Sequence, residues 1–362
     1  MVMALSAAET ANAAVGQPGR LAPNAASYYN LAITQLQQSL GNSQHAEENL
    51  LACMLLASFE ISNGLRTAWL QHLNGAIAIH SRFKSSISQE CAMFAFQYFS
   101  FRYVLLQTTI PPDSVPLEDI LGDSTLTSRL LQSLKSAMQQ AMDTNPSVAM
   151  QKIDAPMCSS IEFLQLVNRI STISALKFHR QVAESVADEV SDLCLSTASA
   201  VDQALLDMVF ISETDDSYLD QCSRCFKLAA RVYLRLACLD LTVTETSLVN
   251  IQQDLLQSLR VVICENRQRQ GFPMWPLFIA GCASSGDVDR QIVLDLFRVL
   301  ERTWPISNTS IVKDVTIQIW QSRDLNELDR GHSQSDWQTV LNILGLQTRY
   351  HDEGAPHQAL VG

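Results

Sequence analysis

The stretch 271-GFPMWPLFIAGCAS-284 decides how this chain is read. It holds two prolines, a tryptophan, two glycines and a cysteine, in or beside the nearly unbroken apolar run Phe272 to Ala283. Three readings compete: a membrane segment, a catalytic loop, or the start of a buried helix in an all-helical interaction domain. A bilayer crossing needs about 18 or more apolar residues in succession. This run is the strongest candidate and is shorter, and it carries Pro273 and Pro276. No membrane contact is expected. Pro276 suits the first turn of a helix, where a missing N–H costs nothing. Leu277, Phe278 and Ile279 then bury, and Ala280 and Gly281 let a second helix come close. Trp275 and Trp320 are read as packing in one core rather than as ligand platforms.

Outward from that segment, the composition agrees. The chain has 362 residues, 47% hydrophobic and 17% charged, enough for a large core. Only 13 glycines and 11 prolines are present, so the tight turns of an all-β fold are in short supply. The net charge of −12 works against direct contact with a phosphate backbone. Nine cysteines, an odd number at wide spacings, and no secretory leader indicate a reducing compartment. The sequon Asn308-Thr309-Ser310 is then a chance match.

Helical patterns follow one another from Tyr28 onward. Leu51, Met54, Leu55 and Phe59 share a face that ends at Asn63-Gly64. A second helix is expected from Thr67 to Phe83 and an aromatic third from Gln89 to Gln107, stopped by TTIPPDSVP. Further helices are expected over Ile161 to Val190 (one or two), Leu193 to Phe210 and Tyr218 to Leu239. The stripe Leu248, Ile251, Leu255, Leu256, Leu259, Val262 and Ile263 is the clearest in the chain. Two more stripes surround Val293 and Val315, and a short helix spans Asp336 to Leu344. The fold class is all-α, with one domain over 27–346 between disordered tails at 1–26 and 347–362.

Candidate chemistry is sparse. Cys222-Ser-Arg-Cys225 is a C-x-x-C, but a zinc site needs a second pair or a histidine pair, and a redox site a strand-to-helix setting. Asp215, Asp216 and Asp220 form D-D-x-x-x-D, a spacing that holds magnesium against a diphosphate in all-α isoprenoid synthases. That enzyme is the alternative reading. It needs a second acidic motif, and 253-QDLLQSLRVVICE-265 has Gln253 and Gln257 where ligands belong. The plainer account is acidic residues favouring a helix dipole. His80 is read as a core or boundary histidine, and 266-NRQRQ-270 is the densest basic cluster. No catalytic, cofactor-binding or metal-ligating residue is assigned, and no cofactor is expected.

The order of motifs adds a resemblance. The run 50-LLACMLLASFEISNGLRTAWLQHLNGAIAIHSRF-83 resembles the C-terminal regulatory domain of fungal zinc-cluster transcription factors, with Phe59-Glu60 and then Trp69, His72, Leu73, Gly75 and Ala76 in the expected places. The aromatic helix FAFQYFSFRYVLLQTTIPP, the Trp275-to-Cys282 block, Asp289-Arg290, Trp320-x-x-Arg323-Asp324, Trp337 and Gly345 follow in order. The resemblance covers about residues 45 to 346. It implies an all-α transcriptional regulator in the nucleus, not an enzyme, acting through self-association, a zinc-cluster factor or co-regulator, or a small-molecule effector. No cysteine precedes Cys53 and no basic stretch is present, so zinc and DNA binding do not carry over. DNA is expected to be reached only through a partner or a segment preceding this chain.

Overall fold

The computed structural model describes residues 23–62, 68–109, 160–182, 187–209, 217–239, 241, 243–265, 273–303 and 307–325. Among these residues there are eleven α-helices and no strand. They are α1 (Pro23–Ser39), α2 (Ala46–Ser62), α3 (Ala68–Arg82), α4 (Gln89–Gln107), α5 (Ile161–Val182), α6 (Ala187–Asp207), α7 (Ser217–Cys238), α8 (Thr246–Arg260), α9 (Met274–Ala283), α10 (Asp287–Thr303) and α11 (Ser307–Asp324). The turn at Asn63-Gly64, the basic cluster 266–270 and the helix expected over 336–344 lie outside the described residues, as does the C-terminal tail.

Local chemistry explains the boundaries. Ser88 caps α4, its hydroxyl accepting from the Cys91 amide at 3.3 Å. Glu47, in the first turn of α2, accepts from the Ser88 amide and so ties the two helix starts together. Two boundaries differ from expectation. Helix α1 begins at Pro23, inside the span read as a tail; proline is favoured at a first helical position. The run Ile161–Val190 divides between α5 and α6, and α6 starts at Ala187 rather than Leu193. The apolar periodicity hides that division. Helix α8 continues as a π-helical segment over Val261–Glu265, which keeps Val262 and Ile263 buried beside Leu259.

Two apolar cores form. The smaller holds Leu50, Cys53 and Met54 of α2, Trp69, Leu73 and Ala76 of α3, and Phe96, Phe99 and Tyr103 of α4. The larger is built on α7 and α9, with α5, α6, α8, α10 and α11 packed around them. Helix α4 belongs to both: Tyr103 lies in the smaller core, Val104 and Leu105 in the larger. Helix α9 is buried without a break from Trp275 to Ala283. A helix apolar on every side belongs at a centre, and each Leu, Ile or Phe side chain buried there contributes about 1.5–3 kcal/mol. That is the structural answer to the opening segment.

Candidate functional site

Helix α9 is where the motif blocks meet. Met274 is the first helical residue, so Pro276 falls in the first turn as expected. The indole N–H of Trp275 donates to Thr108 Oγ1 at 2.9 Å, and Thr108 Oγ1 donates to the Leu105 carbonyl at 2.6 Å. The C-terminal end of α4 is thereby pinned to the start of α9. The Trp275 ring stacks on Phe226 of α7, with centroids 6.1 Å apart and planes 9° apart, and meets Tyr233 edge-on at 6.4 Å. Both Trp275 and Trp320 lie in the larger core. At the other end of α9, Trp320 Nε1 donates to the Gly281 carbonyl at 2.9 Å. Arg290 of α10 lies over the Trp320 ring at 5.5 Å and grips Asp324 with both terminal nitrogens, at 2.7 and 2.9 Å. The hydrogen bond from Arg290 holds the Asp324 carboxyl below its ordinary range. Three helices are locked here by residues that touch one another.

A second lock joins α6 to α7. Asp202 accepts from Arg231 Nε at 2.8 Å and from both terminal nitrogens of Arg235 at 3.0 and 2.9 Å. Burial pushes the Asp202 carboxyl up, but hydrogen bonds and charge from the two arginines outweigh it and bring it to about 2. Lys227 Nζ closes the end of α6 by donating to the Leu206 and Met208 carbonyls, at 2.8 and 2.9 Å. In the N-terminal core, Tyr29 donates to Glu60 at 2.6 Å, lies 3.3 Å from His72 Nε2 and stacks on Phe59. Burial pushes the Tyr29 hydroxyl up and His72 down. His80 sits half-buried with its ring edge-on to Phe96, a boundary histidine.

Among the described residues the sequence candidates do not assemble. Asp215 and Asp216 lie outside the described residues, and Asp220 is exposed in the first turn of α7. Gln253, on the helix where a second acidic motif was sought, donates to Asp289 at 2.9 Å. Cys222 and Cys225 are buried in the larger core, and burial pushes the Cys225 thiol far up. No group of three or more His, Cys, Asp or Glu side chains forms a metal site among the described residues. Sequence reasoning missed one concavity: a groove of about 530 Å³ between the start of α5 and the end of α6. Glu162, Gln165, Leu166 and Arg169 line one wall, Asp207 and Met208 the other.

Among the described residues no helix is long and apolar enough to cross a membrane. The architecture is that of a multi-helix domain in which several polar side chains tie helix to helix. A profile of the fungal-specific transcription factor domain matches residues 1–348, and the chain belongs to that family: it is a fungal transcriptional regulator. The match begins ahead of residue 45, where the motif resemblance starts, and it gives the isoprenoid-synthase alternative no support. No curated protein and no solved structure matches the chain.

Proposed function

We propose that this chain is a non-enzymatic regulatory domain that works in the nucleus by contacting other proteins and reaches DNA through a partner or a segment outside this chain. The observation that carries the reading is the family match over residues 1–348. Two features support it. The net charge of −12 disfavours binding a polyanion directly. The charged clusters Asp202–Arg231–Arg235 and Arg290–Asp324 are spent on joining helices. A small-molecule effector fits the same reading. Zinc plays no part in this chain on this proposal.

The test is to fuse residues 1–362 to an unrelated DNA-binding domain in a fungal host and read a reporter. A change in reporter output that depends on the fused domain is the expected result. A silent reporter from a well-expressed, nuclear fusion overturns the reading. Magnesium-dependent turnover of a prenyl diphosphate, lost on Asp216→Ala, overturns it from the other side.

A further inference from the structure

The outward face of α6 lacks charge. From Leu193 to Leu206 the only charged residue is Asp202, and it is bound to Arg231 and Arg235. Leu193, Leu195 and Leu206 are 65%, 48% and 44% exposed. Between them the exposed positions are small or uncharged, with Ser199 and Ala200 at the middle. For a chain of net charge −12 this is an unusual surface. Two copies repel across most of their area and least across a strip like this one.

The strip is also self-complementary. About the midpoint of residues 199 and 200 its ends and its centre mirror one another, Leu193 with Leu206 and Ser199 with Ala200. Two such helices packed antiparallel about a two-fold axis at that midpoint place Leu195 beside the other copy's Leu206, and Leu193 beside its Ala204. Ser196 faces Gln203, and the small residues at the centre let the backbones come close. Ala204 is also on the rim of the groove between α5 and α6, so the groove lies where the second copy's Leu193 arrives. Charge fits at the same place. Asp192, exposed at the N-terminal end of the strip, comes to the end that carries Arg169 in the groove wall and Lys227 on the last carbonyls of α6. The acids at that end are Asp207, held by the Gln203 amide at 2.8 Å, and Glu162 in the groove wall.

We propose that this chain self-associates through α6, as a two-fold antiparallel pair centred between Ser199 and Ala200, with the second copy's Leu193 and Asp192 seated at the groove of Arg169. This rests on the reading of the chain as a protein-contacting regulator and names one partner, a second copy. The strip is about 20 Å long and falls short of the ~800 Å² per partner of a standard interface. A concentration-dependent dimer is therefore expected.

The test is sedimentation of the purified 362-residue chain over the micromolar range. The expected result is a monomer–dimer equilibrium abolished by Leu195→Glu or Leu206→Glu, with thermal unfolding unchanged because both side chains are exposed. Asp192→Arg and Arg169→Asp each weaken the dimer about tenfold, and the double swap restores it. Should a leucine variant also lose its fold, Ala200→Cys decides the matter: a short bismaleimide should then join the two introduced thiols, one from each copy. A chain that stays monomeric throughout overturns the proposal. So does a dimer indifferent to all these changes. Either failure leaves the regulator reading intact, since reporter output is measured separately.

Discussion

The indole of Trp320 donates its N–H to the carbonyl of Gly281, 2.9 Å away and 39 residues earlier in the chain. The approach depends on Gly281 having no side chain. A Cβ there would lie 2.6 Å from Thr316 Cγ2, one turn before Trp320 on α11. Thr316 cannot easily turn aside, because its hydroxyl donates to the Val312 carbonyl at 2.8 Å.

Gly281→Ala is therefore expected to destabilise the protein. Alanine gains about 1 kcal/mol of helix propensity over glycine, but overpacking costs about 1–3 kcal/mol, and the lost Trp320 bond adds to it. Thermal unfolding followed by circular dichroism checks this. Thr316→Ser, which removes the offending methyl group, should recover part of the loss in the double variant.

Asp202→Asn leaves Arg231 and Arg235 without a counter-charge and should cost about 1–2 kcal/mol, after allowance for solvent screening. The same pair predicts a pH dependence. The folded carboxyl titrates at about 2, below its ordinary 3.8. A depressed carboxyl contributes stability that is complete above the ordinary value and is lost as pH falls through about 2. Urea midpoints between pH 5 and pH 2 should fall more steeply for the parent chain than for Asp202→Asn.

Both of these locks were hard to see in the sequence. Arg231 and Arg235 show as neighbours on a helix, but nothing in the chain pairs them with Asp202, about thirty positions away. Trp320 and Gly281 stand in separate motif blocks, and only packing shows that one bonds the other. What was legible is what local periodicity and stop signals encode. Helix α4 ran from Gln89 to Gln107 as expected, because Ser88 caps it and the prolines at 111 and 112 follow it. Pro276 placed the start of α9. The groove was not legible, because it lies between α5 and α6 in a run whose apolar stripe does not break cleanly.

The N-terminal core should weaken in mild acid. Burial pushes His72 below its ordinary 6.5 against a pull from Glu60, and burial then Lys84 push His80 the same way. Histidines held neutral in the folded state contribute stability above about pH 6.5, and it is lost as pH falls below that value. Near-ultraviolet circular dichroism between pH 7.5 and 5 should report loosening. His80→Phe, which keeps a ring against Phe96, should flatten the change.

The C-x-x-C thiols are expected to be inert in the folded protein. Cys222 and Cys225 are fully buried, and burial holds Cys225 protonated far above neutral pH. Treatment with a maleimide at pH 7.5, followed by peptide mass spectrometry, should leave both unmodified until urea unfolds the chain. Rapid native labelling of either would contradict this burial.

The sharing of α4 between two cores bears on how such a regulator can be dissected. Truncation series assume that a cut removes one module and spares the rest. A cut before Ile87 would take away α2 and α3 and strip the cover from Phe96, Phe99 and Tyr103, while Val104 and Leu105 of the same helix stay in the larger core. The shortened product would carry an open aromatic face into the cell, and its lost output would report aggregation or proteolysis rather than a missing activation region. Point substitutions on exposed faces are the safer scalpel for mapping this protein.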